Sequence, residues 1–346
     1  MPKMKLFLVL MLLAWMFLSH EALSNDCTWV GRPVLSEIPE FTDEWLRMFG
    51  TYDKSDGSIA LFIYWWNGHY VEAWKFKDSR WTKEWEGSMD IGDPFCHYVE
   101  IQNIYYDDNI GSIVLWAYGT TMAPESGCNS LLRYIPGGGF EKLIDIAVDS
   151  WAPVSYVAFD INRKRAVFAG SFMKIIDEEG RFVTVEYDGS NLYYVPNSID
   201  NSVTFEDGKV GYDPNTQKVV FQGRRIISWP LETWEYDGQS WTLADTGIGP
   251  NEKDWLPGMI FVPELGGLLA LEDKGDLMNY WIYRSSHWSK LEIAGQLQSY
   301  YDASLAMDSE MHLPVLFGGW DIHGYFSNKV WELQCTIGHN RPVSPP

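Results

Sequence analysis

The stretch VGYDPNTQKVVFQG, Val210 to Gly223, followed ten residues later by TWEYDGQSWT, Thr233 to Thr242, decides the fold. Its first half reads as a hairpin: an apolar strand, a turn at Asp213-Pro214-Asn215, and the β-branched and aromatic run Val219-Val220-Phe221. Its second half reads as another hairpin, with Asp237-Gly238 turning between strands that carry Trp234 and Trp241. Two consecutive hairpins make a four-stranded antiparallel unit.

The layout recurs along the chain, and a fixed period of this size is the mark of a repeat architecture. Aromatic-Asp pairs stand at Tyr52-Asp53, Tyr106-Asp107, Phe159-Asp160 and Tyr212-Asp213, with Met307-Asp308 as a weaker copy and Pro263-Glu264 as a worn one. Their acids fall 54, 53, 53, 51 and 44 residues apart, so the chain holds six units. Third strands carry Trp74, Leu132, Val185, Trp234, Trp281 and Trp331 at equivalent points. Fourth strands carry Trp81, Phe140, Leu192, Trp241 and Trp288, which leaves the sixth unit one strand short.

These features together resemble the kelch repeat: the aromatic-Asp turn, an apolar strand closing on glycine, a Trp-x-Tyr strand and a final Trp. The glycines are Gly119, Gly170 and Gly223, with the pair Gly318-Gly319 in the sixth unit; the first and fifth units lack one there. The resemblance covers nearly all of residues 27–335. It implies an all-β, six-bladed β-propeller of four-stranded antiparallel blades, and a usual employment in binding rather than catalysis. A propeller has to close so that its end blades do not expose strand edges. CTWV, Cys27 to Val30, is then the missing fourth strand of blade six, with Trp29 in the place of Trp241.

Four cysteines in an oxidising compartment allow three pairings. In the propeller reading, Cys335 ends the third strand of blade six beside the start of the N-terminal strand at Cys27. Cys96 and Cys128 both fall in loops of one face of blade two. The expected disulfides are therefore Cys27–Cys335 and Cys96–Cys128. By chain-entropy arithmetic the first is worth about 5 to 6 kcal/mol and the second about 4 kcal/mol.

The N-terminal residues 1–24 read as a secretory signal peptide: Lys3 and Lys5 precede the apolar run Leu6 to Leu18, and Ala22-Leu23-Ser24 supplies small residues for cleavage. Residues 25–335 form one propeller domain, and the Pro-rich residues 336–346 a flexible tail. The expected location is extracellular or periplasmic, with no membrane insertion once the signal is removed. Lysine and arginine number 26 against 47 acids, a net charge of −21 that repels phosphate backbones and excludes nucleic acid as a partner.

Short turns such as DPNT and YDGQ occupy one face and longer loops the other, so the long-loop face, which carries Cys96 and Cys128, is where binding is expected. Trp65, Trp66, Trp229 and Trp320 stand in those loops, where aromatic rings stack on sugars or anchor a protein; the alternative is packing between blades. Arg224 and Arg225 suit an anionic group or an ion pair with neighbouring acids. His69 and His323 lie beside tryptophans in equivalent loops, placed for proton transfer or for ordinary solvation. Their spacing specifies no metal, and Asp177 to Gly180 lacks the alternating ligands of a calcium loop. No cofactor is implied.

Two functions follow. One is a binding module for an extracellular glycan or protein. The other is an extracellular carbohydrate-active enzyme, a glycosidase, lyase or galactose-oxidase-like oxidase, with its site on the same face. No G-x-S-x-G, H-E-x-x-H or Gly-rich phosphate loop is present, and a copper oxidase of that kind needs a cysteine free of disulfides.

Overall fold

The computed structural model describes residues 26–36, 38, 46–65, 70–89, 96–121, 127–146, 153–173, 180–196, 199, 205, 207–224, 230–250, 258–300, 302–321 and 323–336. Among them lie twenty-four strands in six four-stranded antiparallel sheets, and the chain is a six-bladed β-propeller. Blade one is β2 (Leu46–Asp53), β3 (Ser58–Trp65), β4 (Tyr70–Lys77) and β5 (Arg80–Ser88). Blade two is β6 (Cys96–Asp107), β7 (Ser112–Thr121), β8 (Gly127–Ile135) and β9 (Gly139–Ile146). Blade three is β10 (Pro153–Asp160), β11 (Arg165–Met173), β12 (Gly180–Tyr187) and β13 (Leu192–Val195). Blade four is β14 (Asp207–Asp213), β15 (Lys218–Arg224), β16 (Leu231–Tyr236) and β17 (Trp241–Thr246). Blade five is β18 (Ile260–Val262), β19 (Gly267–Asp273), β20 (Met278–Arg284) and β21 (His287–Leu291). Blade six is β22 (Ser304–Asp308), β23 (Leu313–Phe317) and β24 (Val330–Thr336), completed by β1 (Asp26–Gly31).

The second strands read as continuous apolar runs because both of their faces are covered by neighbouring blades. All seven residues of β19 are buried, as are seven of the eight in β3. Outer strands meet water more fully: in Trp241-Thr242-Leu243 only the Trp is buried. The acid of the aromatic-Asp pair folds its own turn. Asp53, Asp107, Asp160, Asp213 and Asp308 are buried, and each accepts a hydrogen bond from the backbone N–H two residues on. The residue just before each second strand is left-handed in all six blades, as Gly57, Gly111, Lys164, Gln217, Gly266 and His312.

The seam obeys the register of the other blades. Where Tyr236 pairs with Trp241 and Tyr283 with Trp288, Leu333 pairs with Trp29. Cys27 lies directly opposite Cys335, and the two are bonded across 308 residues. Arg32 reinforces the closure from just beyond β1, donating to Asp308 at 2.6 Å and pairing with Glu332. The second disulfide, Cys96–Cys128, joins β6 to β8. Gly119 makes room for it, since a Cβ there would come within 2.2 Å of the Cys96 sulfur.

Neighbouring blades are stitched by side chains that follow the repeat. The Trp241 indole donates to Thr184 Oγ1 of blade three at 2.8 Å, and that of Trp288 to Thr233 Oγ1 of blade four at 2.9 Å. Trp81 donates to the carbonyl of Asn328 in blade six. One register step away, Tyr236 donates to Glu186 and Tyr283 to Glu235, each carboxylate belonging to the preceding blade. Arg165 and Arg163 hold Glu186, and Lys218 holds Glu235, so these buried acids are paired.

Cys27→Ser leaves six closing residue pairs but removes the covalent seam. Calorimetry is expected to show up to about 5 to 6 kcal/mol of lost stability, whereas Cys96→Ser, breaking a shorter loop, costs up to about 4 kcal/mol. Equal melting temperatures for Cys27→Ser and the unaltered protein would remove the disulfide from the closure.

Candidate functional site

The first strands β2, β6, β10, β14, β18 and β22 each lie at the edge of their sheet and contact one another in a closed ring. They surround a cavity of about 580 Å³ on the axis, to which all six contribute side chains. Most of its wall is apolar or aromatic, as at Met48, Phe49, Tyr105, Tyr156 and Phe261. Its formally charged lining residues are Lys54 and Asp302. Lys54 belongs to the short-turn end and is bound by Asp108 at 2.7 Å. Asp302 lies just before β22, at the opposite end, towards the long-loop face.

At that end three blades bring charges together. Arg47, near the start of β2, stands six residues before the turn acid Asp53, as Asp302 stands six before Asp308. Glu100 stands seven before Asp107, on a strand that carries two register shifts, between His97 and Glu100 and between Ile101 and Asn103. Blades six, one and two are consecutive around the ring, so Arg47 falls between the two acids and its charge acts on both. Gln102 Nε2 donates to Glu100 at 3.4 Å. Tyr64 and Tyr118, both buried, pair in register with Arg47 and Glu100.

Burial lifts the Asp302 carboxyl to about 6, against a smaller opposing pull from Arg47. Burial also raises Glu100, with Arg47 and Gln102 working the other way. The Tyr64 hydroxyl is pushed well up by burial and by the Glu100 charge. Asp302 has φ of 54°, in the left-handed region. The other non-glycine residues with positive φ among those described are Asp78, Ser79, Lys164, Gln217, Ser285, Ser286 and His312, all in hairpin turns of the short-turn face. Asp302 has no hairpin to close, so its conformation is held by what surrounds it.

Of the residues singled out in the sequence, Trp65, Arg224, Trp320 and His323 are described, while Trp66, His69, Arg225 and Trp229 lie outside the described residues, as do residues 177–179 of the acidic loop. Trp65 and Trp320 are brought together: both are half-buried against one core cluster between blades six and one. Trp65 stacks on Tyr70, with ring centroids 5.6 Å apart and planes at 9°, and Trp320 meets Phe326 edge-on. Arg224 ends β15 half-buried opposite Asp207 in register. His323 is exposed in a turn, its backbone N–H donated to Asp321. Arg47, Glu100 and Asp302 were reachable from the sequence only through their similar positions, six, seven and six residues before the turn acids.

The Asp302 carboxyl favours the folded state below about pH 4, where it is protonated folded or unfolded, and becomes a cost as pH rises through about 6. Asp302→Asn, a residue that tolerates the left-handed region, is expected to stabilise the protein at pH 7.5 by about 2 to 3 kcal/mol and to leave it unchanged at pH 4. Thermal melts at the two pH values test this; equal effects at both would refute it.

No protein-family model matches the chain, and no curated protein matches its sequence. Solved structures do. The GH93 α-L-arabinofuranosidase of Fusarium graminearum, in complex with arabinobiose, superposes with a TM-score of 0.58 at 11% identity over 90% of this chain and 97% of that one. The PQQ-bound aldose sugar dehydrogenase of Streptomyces coelicolor gives a TM-score of 0.49 at 11% identity, covering 89% and 98%. The lectin of Aleuria aurantia, with α-methyl-L-fucoside, gives 0.46 at 9% identity, covering 86% and 96%. At these identities the first supports the propeller fold and nothing finer, and the other two lie below the similarity at which even the fold is argued.

Proposed function

We propose that this chain is a secreted, kelch-type propeller that binds a glycan at the axial end of its channel on the long-loop face. The observation that carries the reading is Asp302 at the end of an apolar and aromatic cavity on the axis, under the charge of Arg47 from the next blade, which also acts on Glu100 of the blade after it. Carboxylates and a guanidinium make directional hydrogen bonds with sugar hydroxyls, and the apolar face of a sugar ring packs on aromatic side chains. The arabinofuranosidase with a comparable fold has arabinobiose bound, which is in keeping with such a ligand. Two disulfides fit an extracellular protein, and no helix among the described residues is long and apolar enough to cross a membrane.

Residues 1–24 serve in this reading as the export signal. The loops that carry Trp66, His69, Arg225 and Trp229 belong by the repeat to the same face, and they are the outer contacts of the proposed ligand. Protein partners are the second reading, favoured by the exposed Tyr325 beside His323 on that face.

A glycan array with residues 25–346, followed by calorimetric titration of the sugars it retains, tests the assignment. Arg47→Met and Glu100→Gln are expected to weaken binding about ten- to a hundredfold with little change in melting temperature, the loss of one charged hydrogen bond each. Binding abolished by Trp66→Ala or Trp229→Ala and indifferent to both axial variants would move the site to the outer loops.

A further inference from the structure

We propose that the ligand of the axial site is a glycoside with an apolar aglycone, its neutral sugar at the long-loop end of the channel and an alkyl or aryl group running down the axis towards the short turns. The inference rests on the glycan reading above and deepens it, from a sugar to a sugar that carries a hydrocarbon.

The order of side chains along the axis carries it. Counting back from the left-handed residue before each second strand puts equivalent positions of the six blades on one frame. Five residues before it stand Tyr52, Tyr106, Phe159, Tyr212, Phe261 and Met307, and all six line the cavity. Seven residues before it stand Gly50, Ile104, Val157, Val210, Met259 and Leu305, again all in the wall. Strand residues two apart share a face and lie about 7 Å apart, so these positions make two stacked rings, an aromatic one nearer the short turns and an aliphatic one above it. In the lower ring Tyr106, Phe159, Phe261 and Met307 are half-buried, which leaves them apolar surface to cover.

The amide and carboxyl side chains of the wall stand above both rings. Asn103 is eight residues before the left-handed residue, Gln102 nine and Asp302 ten. The formally charged lining residues, Asp302 and Lys54, are at the two ends with none between, and Lys54 is already bound by Asp108 at 2.7 Å. A sugar's hydroxyls therefore find partners at the long-loop end, whereas a further sugar unit pushed between the rings would leave its hydroxyls unpaired there. A hydrocarbon in that place exchanges water for apolar contact. There is room for both parts. The cavity holds about 580 Å³, the size that takes a whole small ligand, and Ser304 to Met307 along β22 spans about 10 Å, enough for a short alkyl chain or a phenyl ring.

Calorimetric titration of residues 25–346 with methyl, butyl, hexyl and phenyl glycosides of neutral pentoses and hexoses tests this, each affinity being read against the methyl glycoside of the same sugar. Each added methylene is expected to tighten binding about two- to fourfold, so that the hexyl glycoside exceeds the methyl by at least about thirtyfold. Val157→Asn, which sets an amide in the aliphatic ring, should cut that hexyl-to-methyl ratio at least about tenfold. The chain-length series needs no variant and decides the matter where Val157→Asn does not fold. Equal affinities for methyl and hexyl glycosides overturn the inference and leave the glycan reading standing. Binding of none of the glycosides overturns the two together, as does hexanol binding as tightly as the hexyl glycosides. A gain with chain length that survives Val157→Asn and is lost in Trp65→Ala or Trp320→Ala puts the hydrocarbon on the outer loops and overturns the inference alone.

Discussion

Everything in this molecule depends on one pairing, β1 with β24. A propeller blade is stable only when both of its faces are covered, and in a ring the last blade covers the first. Until β1 lies against β24, blade six lacks its outer strand and its neighbour lacks a wall: Trp29, Leu333 and Cys27 pack in the same core cluster as Leu269, Tyr280 and Ile282 of blade five. The contacts of every other blade are between chain neighbours, whereas this one joins residues some three hundred apart, with the corresponding loss of chain entropy. There Cys27 is bonded to Cys335, and Arg32 pairs with Asp308 and Glu332.

The same geometry makes the axis chemically unlike the rest of the fold. Each sheet spends its hydrogen-bonding capacity between its own strands, and the innermost strand keeps one free edge facing the channel. Side chains along that edge come from six separate blades. Groups that could never be neighbours within a hairpin therefore act on one another across blades, as the Arg47 charge does on Glu100 and on Asp302. Their environment differs from the surface in polarity, which is what displaces the proton affinities of the two acids.

This contrast also explains what the sequence disclosed. The blade is written locally: a turn acid that accepts its own backbone N–H, a third strand whose Tyr or Phe meets the fourth-strand Trp, a glycine where Cys96 needs space. Such features recur every fifty or so residues, and the missing Trp of blade six could be found at Trp29 because its partner position was already defined. The axial cluster has no such signature. Its members sit near the starts of the first strands, where the repeat demands no particular residue type, and Glu100 is displaced by the irregular pairing of β6. The loop tryptophans Trp65 and Trp320, legible by residue type alone, are each half-buried in the packing between blades six and one.

The seam also fixes how the molecule can be held. Asp26 pairs with Thr336, so the two ends of the ring leave side by side at the short-turn face, the one remote from Arg47, Glu100 and Asp302. A linker, a bead or a cell wall joined at either end would therefore grip the propeller from beneath and point the open end of its axis outward. Attachment at both ends at once would add no torsion to the ring, because to the blades the two termini are a single point.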